Sequence, residues 1–186
     1  MIPSYEEIML PLLKMLSDGK EYSLQEADDF LSGQFNLTEE ERRELLPSGQ
    51  QPVFRNRLGW ARTYMKKAGL LTIPKRAHFK ITERGIELLK EKPTKITSKL
   101  LMRYQEFVDF KSIKMTKDNG EEYVENNHDV NTDKTPEESL EHAYQKLRSE
   151  LAKEVLDVVK SCSPAFFEKL VIDLLIRMGY GGSRKD

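Results

Sequence analysis

Apolar residues recur at spacings of three and four along most of the chain, which predicts a mainly helical protein. The first such stripe contains Ile8, Leu12 and Leu16, and it predicts a helix that ends at Gly19. Further helix starts are predicted where a serine or threonine is followed three residues later by a glutamate, because the two residues can cap a helix together. These capping boxes are Ser23 with Glu26 and Thr38 with Glu41.

A fourth stripe predicts a helix that is followed by a hairpin. Gly69 can supply the C-terminal turn of this helix. Two strand-like runs follow, 71–73 and 79–81, and the segment between them has a length suited to a hairpin loop. Another helical pattern begins near Ile86. The order predicts the fold class: mainly α, a winged helix-turn-helix with a short β-hairpin wing, followed by a linker and C-terminal helices. The stripe on the fourth helix consists of Phe54, Leu58, Ala61, Met65 and Ala68.

The composition divides the chain into four parts. Residues 93–115 are rich in apolar side chains and fit either a helix or a strand, whereas 116–135 is polar and rich in Asn and Asp, which is linker composition. The predicted parts are a winged-helix domain at 1–92, a packing segment at 93–115, an acidic flexible linker at 116–135, and a long helix with the start of a further domain at 136–186.

The long helix begins at Pro136 and carries a heptad-like apolar stripe. Such a stripe needs a partner surface. Two alternatives stay open: the helix packs on its own chain, or a homodimer forms through the helix from Glu137 to Cys162. The stripe consists of Leu140, Tyr144, Leu147, Leu151, Val155, Val158 and Cys162.

Positive charge is concentrated in one stretch of a chain whose formal net charge is -1. Between Leu45 and Thr82 there is no aspartate or glutamate, although eight of the 30 basic residues lie there. A surface that serves only to keep a protein soluble mixes positive and negative side chains. The asymmetry in this chain therefore favours a face that binds an anionic partner. We expect double-stranded DNA, with cations on phosphates and with Asn56 and Thr63 at base edges. The candidate DNA-binding residues are Arg55, Asn56, Arg57, Arg62, Thr63, Lys66 and Lys67 on the helix, and Lys75, Arg76 and Lys80 on the hairpin.

The helical period also predicts which of these side chains face solvent. Asn56, Thr63 and Lys66 fall on the surface opposite the apolar stripe, together with Arg55 and Lys67. Trp60 and Arg62 fall at its margins and Trp60 is expected to pack.

Composition excludes several other classes. No apolar run approaches the roughly 20 residues that cross a bilayer, and the start lacks a secretory signal, so we expect a cytoplasmic protein with no membrane partner. The single cysteine and three histidines have no zinc-binding spacing, so no metal site is predicted. The same fold also serves two other functions that stay open: a transcriptional regulator or repressor, and a module that binds another protein through the basic stretch.

Two separate segments resemble Mrr-type restriction endonucleases, in the domain order of that family. Ser163-Pro164, 167–171 and 178–182 resemble the opening of the family's catalytic domain. The family's N-terminal winged-helix domain is similar to Ser48-Gly49-Gln50, Arg55-Asn56-Arg57, Gly59-Trp60-Ala61, 67–70 and Leu88. The resemblance implies a bacterial defence protein whose parent enzyme is a type IV endonuclease directed at modified, typically methylated, DNA.

The resemblance also implies what this chain is expected to lack. Family members resemble enzymes of the PD-(D/E)xK fold, in which an aspartate and a second acid hold Mg²⁺ beside a lysine, and this cluster activates water. Those residues follow the Gly-Tyr-Gly-Gly segment in the family, and the sequence ends at Asp186. We therefore expect a DNA-binding portion that is not an enzyme, with no catalytic residues and no cofactor. Glu168 matches a position that contributes to the metal site only together with the missing catalytic residues. Without them, it is a glutamate near the start of a helix, where the helix dipole favours a negative charge.

Overall fold

The structure is a computed structural model that describes residues 1–116, 122–126 and 134–180. It divides into two compact units, Met1–Ser139 and Leu140–Asp186. The helices are α1 (Tyr5–Met15), α2 (Leu24–Gln34), α3 (Glu39–Arg43), α4 (Val53–Lys67), α5 (Glu83–Lys90), α6 (Ser98–Leu101), α7 (Gln105–Lys111), α8 (Pro136–Ser161) and α9 (Pro164–Arg177). The strands are β1 (Tyr22–Ser23), β2 (Leu71–Thr72), β3 (His78–Ile81), β4 (Ser112–Thr116) and β5 (Glu122–Asn126).

The first unit is a winged helix, as the sequence predicts. Its small antiparallel sheet has the order β1-β3-β2, and β2 and β3 form the hairpin wing. Phe79 and Ile81 point from β3 into the core formed by α1, α2 and α4. Strand β1, which the sequence analysis missed, is only two residues long and pairs Tyr22 with Phe79.

Local capping fixes the ends of these helices. Both predicted capping boxes form, and Ser4 with Glu7 forms another at the start of α1. At the end of α4, the Gly69 N–H donates to the Lys66 carbonyl and the next N–H donates to the Met65 carbonyl. Gly69 has φ of 73°, a left-handed conformation that an L side chain rarely adopts. The helix therefore ends where the sequence predicts, and the chain turns into the wing.

The wing is held against α5 by a close contact at Gly85. A Cβ at this position would lie 2.6 Å from the Leu70 carbonyl oxygen and 2.7 Å from Ile81 Cγ1. Thr82 caps α5 by accepting from the Gly85 N–H, and its hydroxyl donates to the Gly69 carbonyl at 2.7 Å. Glycine is required because the helix and the sheet meet at backbone distance.

The segment after α5 packs into the same core. It forms two short helices, α6 and α7, and then the start of β4, where the sequence left helix and strand open. Ile96, Leu101 and Phe107 have no exposed surface. The Ser98 N–H donates to the buried Glu6 carboxylate at 2.7 Å, which ties the segment to α1.

Part of the predicted acidic linker forms a strand. β4 and β5 pair antiparallel, from Ser112 opposite Asn126 to Thr116 opposite Glu122. Residues 117–121 and 127–133 of the predicted linker lie outside the described residues, as do 181–186 at the end of the chain. The division into four parts stays a prediction.

The second unit consists of α8 from Leu140 onward and of α9. Ser163 caps α9, and Pro164 occupies its first turn. The apolar stripe on α8 is exposed, with Leu140 at 71% and Leu147 at 66% of full exposure. Between the two helices lies a cleft of about 330 Å³ that Val155, Phe166 and neighbouring apolar residues line. The predicted homodimer through this stripe stays a prediction.

Candidate nucleic-acid interface

One face of α4 carries a row of cations. Arg55, Gly59, Arg62 and Lys66 follow each other at steps of four, three and four, so they share one side of the helix. The opposite side is buried, because Leu58 and the rest of the apolar stripe pack into the core. Arg62, which the sequence placed at the margin, lies between Arg55 and Lys66 on this row. We call Arg55, Gly59, Arg62, Thr63 and Lys66 the basic face.

Arg55 is positioned by the helix that precedes the turn. Its Nη1 donates to Gln25 Oε1 at 3.0 Å, and Gln25 belongs to the first turn of α2. Sequence reasoning missed Gln25 because all of its candidate residues came from the acid-free stretch between Leu45 and Thr82. The capping box at Ser23 marks the start of α2, and it was the sequence signal that could have placed Gln25 in the first turn of that helix.

Arg62 is the least satisfied cation of the basic face. Within the described ranges it forms no hydrogen bond and no ion pair, although its side chain is only partly exposed. Partial burial lowers the pKa of its guanidinium from the ordinary value, because desolvation disfavours the charged form. An anion that reached this guanidinium would offset the desolvation.

The polar residues near Arg62 differ in their contacts and in their exposure. The Thr63 hydroxyl donates back to the Gly59 carbonyl at 2.9 Å, so its single proton is engaged within the helix. Lys67 is exposed, and its ammonium lies 4.8 Å from the centroid of the Phe110 ring. Lys66 is exposed and, among the residues that the structure describes, forms no ion pair.

Asn56 is not on the exposed surface where the helical period placed it. It is 3% exposed, its Oδ1 accepts from the Thr135 hydroxyl at 2.8 Å, and its Nδ2 donates to Gln51 and Glu137. The predicted exposure is wrong because the chain before α8 packs on this side of α4. The periodicity of a single helix cannot register a contact from residues so distant in the sequence.

Arg57 is also engaged inside the first unit. Its Nη2 lies 2.7 Å from a Glu138 oxygen, and its Nη1 donates to the carbonyls of Ile2 and Pro3 at 2.9 and 3.1 Å. Burial raises the pKa of Glu138, but the hydrogen bonds from Arg57 and Thr135 outweigh burial and hold that pKa below its ordinary value. This guanidinium is therefore committed to contacts within the unit.

The wing carries three further candidate cations. Lys75 pairs with Glu21 at 3.4 Å, whereas Arg76 is exposed at the tip of the loop. The His78 N–H donates to the Lys75 carbonyl at 3.1 Å, and Ala77 within this turn has φ of 64°. Lys80 is exposed because alternate residues of β3 point away from the core.

A metal site is not formed by the side chains that the structure describes. In residues 1–112 and 134–180 no group of three or more His, Cys, Asp or Glu residues could hold an ion. Glu168 is exposed on α9 and stands outside any such group. These residues therefore do not fit Mg²⁺, which needs several oxygen ligands in octahedral geometry. Over the same described part of the chain, no helix is both long and apolar enough to span a membrane.

Comparison with known proteins finds a match for the N-terminal part of the chain. Residues 5–91 match the family model of the Mrr N-terminal domain. The whole chain aligns with the type IV methyl-directed restriction enzyme EcoKMrr of Escherichia coli (strain K12), at 29% identity over 190 residues. The chain spans 62% of the length of that relative. No solved structure matches the chain. Residues 5–91, which contain α4 and the wing, are therefore similar to the Mrr N-terminal domain, and the whole chain is similar to a Mrr-type restriction enzyme.

Proposed function

We propose that this chain binds double-stranded DNA through the basic face of α4 and the wing, as the recognition portion of a Mrr-type restriction system. The observation that carries the proposal is the row of cations on α4 whose central member, Arg62, is partly buried and unpaired among the described residues. Phosphate oxygens would supply the missing acceptors, and the helix would lie in the major groove. Asn56 and Arg57 are left out of this interface because their side chains bind other parts of the first unit.

The salt dependence of binding tests the proposal. Fluorescence anisotropy with a short labelled duplex would be measured between roughly 50 and 200 mM salt, the range over which phosphate contacts change affinity strongly. Replacing both Arg62 and Lys66 with alanine should make the slope of log affinity against log salt shallower by about 1.8, because each lost phosphate contact removes about 0.9.

The control for loss of a cation elsewhere on the surface is Arg103→Ala. Arg103 lies outside the acid-free stretch and pairs with Glu91 at 2.9 Å on the surface, so its removal changes the net charge by one without touching the basic face. We expect its slope to equal that of the wild type. A protein that fails to bind DNA even at low salt would refute the proposal, and would favour the alternative that the basic face binds a protein.

We further propose that the DNA read by this module is modified and that residues 1–186 do not cut it. The Escherichia coli relative is a methyl-directed enzyme, which supports the first statement, and no metal-binding cluster is formed by the described side chains, which supports the second. Methylated and unmethylated duplexes of one sequence would be compared in the same titration, followed by incubation with Mg²⁺. Equal affinities would contradict the first statement, and cleavage by homogeneous protein would contradict the second.

A regulator that acts as a dimer is a second candidate, because the stripe on α8 exposes several large apolar side chains, including Leu140 and Leu147. Mg²⁺ would then be irrelevant to the activity of the chain. Sedimentation equilibrium would distinguish the two candidates: a stable dimer that prefers palindromic sites favours the regulator, whereas a monomer favours the recognition portion.

A further inference from the structure

Gly59 occupies an unusual position for a glycine, the middle of a long helix. It is the seventh of 15 residues in α4. Glycine there costs roughly 1 kcal/mol relative to alanine, because it loses more backbone freedom on folding. A costly residue in the middle of a helix needs a packing, conformational or functional reason.

Neither packing nor backbone conformation supplies that reason. A Cβ added to Gly59 would meet no heavy atom within 4 Å, and its φ is not among the positive values. Gly69 and Gly85 differ in this respect, since a Cβ on either would lie within 2.7 Å of another atom. The folded domain would accept alanine at residue 59 without strain.

Gly59 lies on the basic face of α4, between two of its cations. Arg55 precedes it by one turn and Arg62 follows it by one turn on the same face. The hydroxyl of Thr63, one turn further along the helix, folds back onto the Gly59 carbonyl. The basic face therefore has long cationic side chains on either side of Gly59, where the backbone of α4 carries no side chain.

The width of the DNA major groove explains why the missing side chain at Gly59 would matter for binding. The major groove is about 12 Å wide, and a helix with its side chains is about 10–12 Å across, so the residue that faces the groove floor limits how deeply the helix enters. We propose that Gly59 is the close-approach point of this protein on DNA, where the backbone of α4 lies against base edges. This inference rests on the proposed function and adds a positioning residue that carries no charge and no hydrogen-bonding side chain.

The test is a pair of glycine-to-alanine variants. Gly59→Ala should raise the melting temperature, because helix propensity improves, and should weaken binding to the duplex about tenfold, because a methyl group intrudes into a close contact. Gly59→Leu should weaken binding further, since the effect is steric. Gly33→Ala is the control: Gly33 is also helical, a Cβ added there would meet no heavy atom within 4 Å, and it lies near the end of α2. It should gain stability and bind DNA as the wild type does.

The outcomes separate this inference from the function on which it rests. If Gly59→Ala binds as tightly as the wild type while the Arg62 and Lys66 variant is weakened, the close-approach role is wrong and the DNA-binding face stands. If the wild type does not bind DNA, both are wrong. A loss of affinity in the Gly59 variants, with an unchanged or higher melting temperature, supports the inference, since a folding defect would lower both.

Discussion

Replacing Arg57 with alanine should destabilise the first unit. The guanidinium donates to two backbone carbonyls near the N-terminus and pairs with Glu138, and the two side chains are only 17% and 11% exposed. A hydrogen bond to a charged group contributes about 1.5–3 kcal/mol, and breaking a buried pair costs about 3–5 kcal/mol because one charge is left without a partner. Glu138 keeps its bond from the Thr135 N–H, and some water reaches it, so we expect a loss of about 3 kcal/mol.

The loss can be measured in the protein as it stands, because the sole tryptophan, Trp60, lies on α4. Its ring packs edge-on against Tyr64, with centroids 5.6 Å apart, so its fluorescence reports unfolding of the first unit. Urea titrations of wild type and variant would give the free energies of unfolding from their midpoints and slopes.

The control for this prediction is a second Arg–Glu pair in the same unit. Arg103 and Glu91 are 53% and 51% exposed, so Arg103→Ala should change the free energy of unfolding by less than about 1 kcal/mol. A double-mutant cycle between Arg57 and Glu138 would isolate their coupling. The reasoning is refuted if Arg57→Ala costs no more than Arg103→Ala.

Three further predictions concern the same unit. Gly85→Ala should cost about 1–3 kcal/mol by overpacking against Leu70 and Ile81, which the urea titration would show as a lower midpoint. Ala77→Gly should stabilise the unit by about 1 kcal/mol, because Ala77 has positive φ; an unchanged melting temperature would contradict this. The pKa of Glu138 is lowered in the folded state, so its contribution is complete above the unfolded value of about 4.3 and is lost as pH falls through the folded pKa. Glu138→Gln should flatten that acid dependence.

The sequence predicted the helices of the winged domain because its signals are local. Capping residues at Ser23 and Thr38, and a C-terminal glycine at Gly69, act within one turn of the helix that they end or begin. The wing could be predicted for the same reason, from two short strands and a loop of hairpin length. What was missed is non-local: β1 is two residues long and exists only through its pairing with β3.

The candidate site was predicted less completely than the fold, for a related reason. Charge and helical period are sufficient to place Arg55, Arg62 and Lys66 on one face. They are not sufficient for Asn56, whose burial depends on Thr135, which is 79 residues away in the chain. Gly59 has no charge, so a search for cations passes over it. Its position becomes informative only when the structure shows that no neighbouring atom requires a glycine.

The packing of the segment after α5 has a practical consequence for dissecting this protein. The part that matches the family description ends at residue 91, yet Ile96, Leu101 and Phe107 fill the interior of the same unit. A polypeptide cut at the family boundary would uncover Tyr64 on α4, which packs against Phe107, and would lose the partner of Glu6. The segment that matches the family model is thus shorter than the segment that folds as one unit. Expression boundaries are better chosen from buried surface than from sequence similarity.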